Sequence, residues 1–164
     1  MTTTDIIQNQ IQKRLVTEGI SRIQICLNYL SYEEIWFIHN TNVTSIGSLI
    51  LHLEGNVRQW LLNTLTDLNY VRQRDKEFTP NEKIVKSELL FKLSKLQSDI
   101  EKITIANIDL TKEVSIQGFK ESTLGAIIHV IEHFSYHVGQ ITTLTKIMKN
   151  INTAYYDDLD LNIT

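Results

Sequence analysis

One proline and six glycines are all that punctuate 164 residues. So few breakers leave room for long helices, and this scarcity constrains the fold more than any motif does. The apolar residues agree with it. From about Thr4 to Leu30, Ile7, Ile11, Leu15, Ile20, Ile23, Leu27 and Leu30 recur at helical spacing. Ser31, three residues before Glu34, reads as a capping box on a short helical turn. His-Asn-Thr-Asn at 39–42 is loop chemistry, so His39 is expected in a loop. A second helix starts near Thr44 or Ser45 and runs to about Asp67, with Ile46, Leu49, Ile50, Leu53, Val57, Trp60, Leu61 and Leu65 on one face.

NYVRQRDKEFTPNE then reads as a polar connection in which Pro80 precedes or begins the third helix, SELLFKLSKLQSDIEKI, with Ser87 as its cap. The β-branched stretch ITIANIDLTKEVSIQGF reads as an irregular connection or short extended pieces. Ser122 caps a last long helix from Thr123 to about Asn150, and the tail packs back through Tyr155 and Tyr156 or stays mobile. The expected fold is all-α: a four-helix bundle with a long connection between helices three and four, in one domain spanning 1–164.

Composition removes several function classes. Hydrophobic content of 42% suits a globular chain. Sixteen basic and nineteen acidic residues give a net charge of -3 with no basic stripe, so nucleic acid is not an expected partner. Cys26 is the single cysteine, which excludes an internal disulfide; in its apolar stripe it reads as a buried, inert thiol. MTTTDIIQNQ lacks the regions of a signal peptide, and no apolar run approaches membrane-spanning length. The expectation is a cytoplasmic protein without a membrane anchor.

Three of the five histidines stand four residues apart in HVIEHFSYHVGQIT, at His129, His133 and His137. Residues i and i+4 lie about 40° apart on one helix face, so two imidazoles can reach one ion. His129 and His137 are eight positions apart, a rise of about 12 Å, too far to share an ion on a straight helix. Spacing alone leaves two pairs open: His129 with His133, or His133 with His137. A third ligand must come from elsewhere, and His52 is the candidate, because it lies among core-facing leucines of the second helix. A hydrogen-bonded core histidine is the ordinary explanation for such a residue, and an isolated HxxxH pair is ordinarily incidental. HExxH is absent, so a zinc-protease reading loses its glutamate base.

Two stretches together favour the metal. LILHLEGNVRQW, ending at Trp60, and EHFSYHVGQI at 132–141 resemble the DinB-like superfamily, closest to its small bacterial branch. RDKEF at 74–78, IQGF at 116–119 and AYYDDLDLN at 154–162 are weaker matches that extend the resemblance over nearly the whole chain. The resemblance implies a four-helix bundle, often dimeric, with a divalent metal held by His52, His133 and His137. Characterised relatives include transferases and isomerases that use a low-molecular-weight thiol. The expected function is therefore a three-histidine open metal site acting as a metal-dependent thiol S-transferase on an electrophilic small molecule. The alternatives are a non-catalytic stress-response or binding module and a metal-assisted hydrolase. Imidazole ligands suit zinc first, and nickel next. Around the ligands, Gln140, Asn56 and Ser48 are expected to orient histidines or bound molecules, and His129 to edge the pocket. No motif specifies the substrate.

Overall fold

The computed structural model describes residues 1–79 and 83–163; Pro80, expected at the start of the third helix, lies outside them. The chain is mostly helical. Its first helical run joins α1 (Thr3–Ile11), a π-helical stretch π1 (Gln12–Ile20) and α2 (Ser21–Tyr29). Thr2 and Asp5 cap it reciprocally. Ser31 and Glu34 form the same box on the single turn α3 (Tyr32–Ile35). The second run joins α4 (Ile46–Asn56), π2 (Val57–Leu62) and α5 (Asn63–Leu65), with Ser45 as N-cap. A short helix α6 (Asp75–Phe78) interrupts the polar connection, and α7 (Lys86–Glu101) follows it. The last long helix is α8 (Thr123–Lys149), whose Ser122 hydroxyl accepts from Gly125 N at 3.0 Å. Among the described residues, no helix is long and apolar enough to cross a membrane.

One expectation needs correction, and two gain detail. Ser87 is not the cap of α7: Val85 is, two residues earlier, with its carbonyl accepting from Glu88 N and Leu89 N. Lys86 holds that start in place by donating to Leu27 O and Leu30 O at 3.1 and 2.7 Å. The all-α expectation misses a two-stranded antiparallel sheet in the connection before α8, β1 (Glu113–Ile116) with β2 (Phe119–Ser122). Gln117 and Gly118 turn the hairpin at φ 53° and 82°, the positive values a tight hairpin turn demands. The tail is docked. Tyr155 OH lies 3.2 Å from Cys26 Sγ and 2.9 Å from Thr142 Oγ1, and Arg22 donates to Tyr156 OH at 2.8 Å. Cys26 is buried, as its apolar stripe requires.

The two π-helical stretches were not readable as such. A π turn bonds i to i+5 and widens the helix. In π2 it lets Val57, Arg58, Trp60, Leu61 and Leu62 all be buried, a wider face than an α-helical stripe presents. Arg58 enters the interior by pairing with Glu54 and Asp99 at 3.1 and 3.0 Å.

One core runs through all the long helices. α2, α4, π1 and π2 pack on α8, and α7 packs on π1 and α4. Phe134 of α8 is among its largest fully buried side chains. It rests on Gly19, where an added Cβ would stand 2.5 Å from Phe134 Cε1 and 2.9 Å from Arg14 O. The first helix thus approaches α8 closely, one residue beyond His133. Gly19→Ala should lower the unfolding free energy by about 1–3 kcal/mol, the usual range for overpacking. Combined with Phe134→Leu it should cost less than the sum of the two changes, because they share one contact. Urea denaturation of the two single variants and the double variant measures both; strict additivity would refute the contact.

Candidate metal centre

α4 and α8 bring His52 to His133 and His137. One ring nitrogen from each lies within 4.8 Å of the other two. The ring centroids are 4.9 Å apart for His52–His133, 5.0 Å for His52–His137 and 4.5 Å for His133–His137. His52 is buried; the other two are half-buried. His129 is not one of the three, although its ring stacks on that of His133 with centroids 5.5 Å apart. It also lies 4.2 Å from the Trp60 ring and lines the cavity shared with His52 and His133.

The outer nitrogens of two rings are engaged. His52 Nδ1 is 2.9 Å from Glu77 Oε2 and also 2.9 Å from Arg72 Nη2; the two Nη2 protons go to Glu77 Oε2 and His52 O, so the Nδ1 proton is assigned to the bond with Glu77. That places the lone pair of His52 on Nε2. His137 Nδ1 is 2.7 Å from Gln140 Oε1, which likewise accepts its proton. An imidazole whose far nitrogen donates to a fixed acceptor has its tautomer and orientation set for metal binding.

Glu77 was not read from the sequence. It sits on α6, 25 residues from His52, in a connection without periodicity. RDKEF carries it, but its spacing says nothing of where it folds. Arg72 holds it from the same connection: Nε donates to Oε1 at 2.6 Å and Nη2 to Oε2 at 2.7 Å. The same Nη2 lies 3.3 Å from His52 O. Both side chains are buried, and Gly55 makes room for them, since a Cβ there would meet Glu77 Oε1 and Arg72 Nε. Burial pushes the Glu77 carboxyl up, but hydrogen bonds from Arg72 and His52 outweigh it and hold the group below its ordinary range.

The inner nitrogens pose a donor problem. His52 Nε2 and His133 Nε2 are 3.0 Å apart. With the His52 proton on Nδ1, the pair needs either a proton from His133 or a cation accepting both lone pairs. Tetrahedral zinc at about 2.0–2.1 Å from each nitrogen keeps two ligand atoms roughly 3.3 Å apart. Burial pushes the His133 imidazole down to about 3, helped by His137, His52, His129 and Arg72. Burial also lowers His137, opposed by the Gln140 bond. In both rings the charged form is disfavoured, and the neutral form is the one that ligates metals. The donor set fits a divalent ion.

Of the remaining sequence candidates, Ser48 bonds to Ser45 and not to a histidine among the described residues. Its hydroxyl accepts from Ser45 Oγ at 3.1 Å and belongs to the start of α4. Asn56, one turn beyond His52, is buried and makes no bond to it; its Oδ1 has no partner among the described residues, and neither has His133 Nδ1. Two cavities adjoin the histidines. One, of ≈270 Å³, has His52, His133, Asn56, Trp60 and His129 in its wall; the other, of ≈610 Å³, has His137, Gln140, Phe78 and Leu144. A still larger groove of ≈920 Å³ between the first helix and α8 touches none of the three histidines.

Glu77→Gln should lower the unfolding free energy by about 1.5–3 kcal/mol, the range for a hydrogen bond to a charged group. It should also shift the ring ¹⁵N resonances of His52 away from the Nδ1–H tautomer. Unchanged resonances would show that Glu77 does not set that ring.

A family model described as "Protein of unknown function (DUF1572)" matches residues 5–157. The chain is also 28% identical over 120 residues to the glutamate–tRNA ligase of Mycoplasmopsis pulmonis (strain UAB CTIP), covering 66% of this chain and 26% of that protein. No solved structure matches.

Proposed function

The chain belongs to the DUF1572 family, and we propose that it is a single-domain, DinB-like four-helix bundle in which His52, His133 and His137 hold a divalent metal ion. Zinc is the first choice and nickel the second. The observation that carries this reading is the convergence of three ring nitrogens within 4.8 Å. Engagement of the far nitrogens of His52 and His137 by Glu77 and Gln140 supports it.

The reaction we propose is transfer of a low-molecular-weight thiol to an electrophilic small molecule. A divalent ion at this site supplies Lewis acidity that lowers the pKa of a thiol from about 8.5. The chain supplies the rest. Glu77 and Gln140 fix two imidazoles, and the two cavities give small molecules access. Hydrolysis ranks lower, with Glu121, exposed in the wall of the smaller cavity, as its candidate base among the described residues. Glu77 is already shared between Arg72 and His52, and Glu132 is exposed on the groove that lacks the histidines. The likeness to a tRNA ligase covers 26% of that protein, and a net charge of -3 with mixed signs does not favour RNA. Cytoplasmic location and a homodimer belong to the same proposal.

Elemental mass spectrometry on tag-free protein, purified without a nickel resin, tests the site. About one equivalent of a divalent metal is expected per chain, lost in His52→Ala and His133→Ala and retained in His129→Ala. A metal-free wild type that takes up neither zinc nor nickel would remove the reading. The zinc-loaded protein should then join a thiol to a model electrophile with little ester hydrolysis when thiol is omitted. Hydrolysis without thiol would favour the hydrolase instead.

A further inference from the structure

The hairpin forms one wall of the ≈270 Å³ cavity beside His52 and His133. Side chains alternate across a strand, so Phe119 and Glu121 share the face that lines the cavity. Lys120 between them turns the other way and pairs with Glu113 of β1 at 3.2 Å. The wall is tied down at its turn. Gln117 takes a φ of 53°, a region that residues with a Cβ seldom enter, and its Oε1 accepts from Trp60 Nε1 at 3.0 Å. That bond fixes the hairpin to π2 and keeps Phe119 and Glu121 in place.

The cavity presents rings and two opposite charges. The Trp60 ring lies 6.3 Å from that of Phe119, centroid to centroid. Phe119 is 63% exposed, so an aromatic face stands uncovered at the cavity, and a ring laid on it gains burial and stacking. Arg74 lines the same space. Its guanidinium rests on Phe78, 5.1 Å from the ring centroid, and makes no ion pair among the described residues. Glu121 makes none either, and the two do not pair with each other. Arg72, the other cation of this wall, is taken by Glu77. Arg74 and Glu121 thus leave one positive and one negative charge uncompensated in a single small cavity.

We infer that this cavity binds a small aromatic zwitterion, the class of an aromatic α-amino acid, with its carboxylate on Arg74, its ammonium on Glu121 and its ring against Phe119 and Trp60. A guanidinium matches a carboxylate in shape as well as charge. A ligand with one charge satisfies one of the two groups and brings a like charge to the other, which disfavours it. The inference goes beyond the metal reading and does not rest on it, because none of these four side chains is a proposed ligand of the ion.

Calorimetric titration of the full-length, tag-free protein with L-phenylalanine tests it. On the wild type, 3-phenylpropanoate, which lacks the ammonium, and 2-phenylethylamine, which lacks the carboxylate, should each bind about tenfold more weakly, a comparison that needs no variant to fold. L-Alanine, which lacks the ring, should lose a similar factor. Arg74→Gln should weaken L-phenylalanine about tenfold and bind 2-phenylethylamine no more weakly than the wild type does. Glu121→Gln should weaken L-phenylalanine about as much and spare 3-phenylpropanoate. The chain has two tryptophans, so its ¹H–¹⁵N spectrum carries two indole resonances, and that of Trp60 should move on titration while that of Trp36 stays. Equal affinity for the three aromatic probes, a Trp60 resonance unmoved at saturation, or no binding of L-phenylalanine would overturn the inference. Zinc content measured on each sample keeps the two readings apart: a wild type that binds L-phenylalanine but takes up no metal would overturn the metal reading alone.

Discussion

The buried ion pair between Arg72 and Glu77 is what the rest of the site depends on. A carboxylate with 8% side-chain exposure and a guanidinium with 3% can sit there only because each satisfies the other. Glu77 Oε2 accepts from Arg72 Nη2 and has a second lone pair for His52 Nδ1, and that bond decides where the His52 lone pair points. The pair therefore does more than neutralise charge. It turns an imidazole in a leucine-rich helix into a directed ligand and closes the site on one side with a segment that belongs to none of the long helices.

The helices themselves were legible because their signals are local. Ser31, Ser45 and Ser122 mark starts through side chains bonding three residues ahead, and the apolar stripes give direction to each long run. The exceptions have physical causes. Ser87 has the right chemistry for a cap, but Lys86 ties the chain to the end of α2 and starts the helix earlier. The π-helical stretches depend on packing across helices that no local pattern encodes. The hairpin was half visible: its residues are β-branched, but Gln117 and Gly118 as a turn are weaker than an Asn-Gly signal.

The histidines were legible in a different way. Spacing narrowed three histidines on α8 to two adjacent pairs, and only the resemblance chose between them. The geometry places His129 against Trp60 and brings His133 and His137 to His52. Arg72 and Glu77 could not have been found this way. They come from a polar connection where position in sequence carries no information about position in space. Ser48 shows the converse: its helical angle relative to His52 is suitable, but the hydroxyl is taken by Ser45 at the helix start.

Gly55 gives this arrangement an unexpected reach. With no Cβ on that residue, the connection lies against α4 closely enough for Glu77 to touch the histidine one turn away. The centre is thus governed from outside the helical scaffold. Changes in the short stretch around Arg72 and Glu77 therefore reach the orientation of His52 through one packed contact on α4. The same buried pair serves folding and the placement of the imidazole, so neither can be altered without the other.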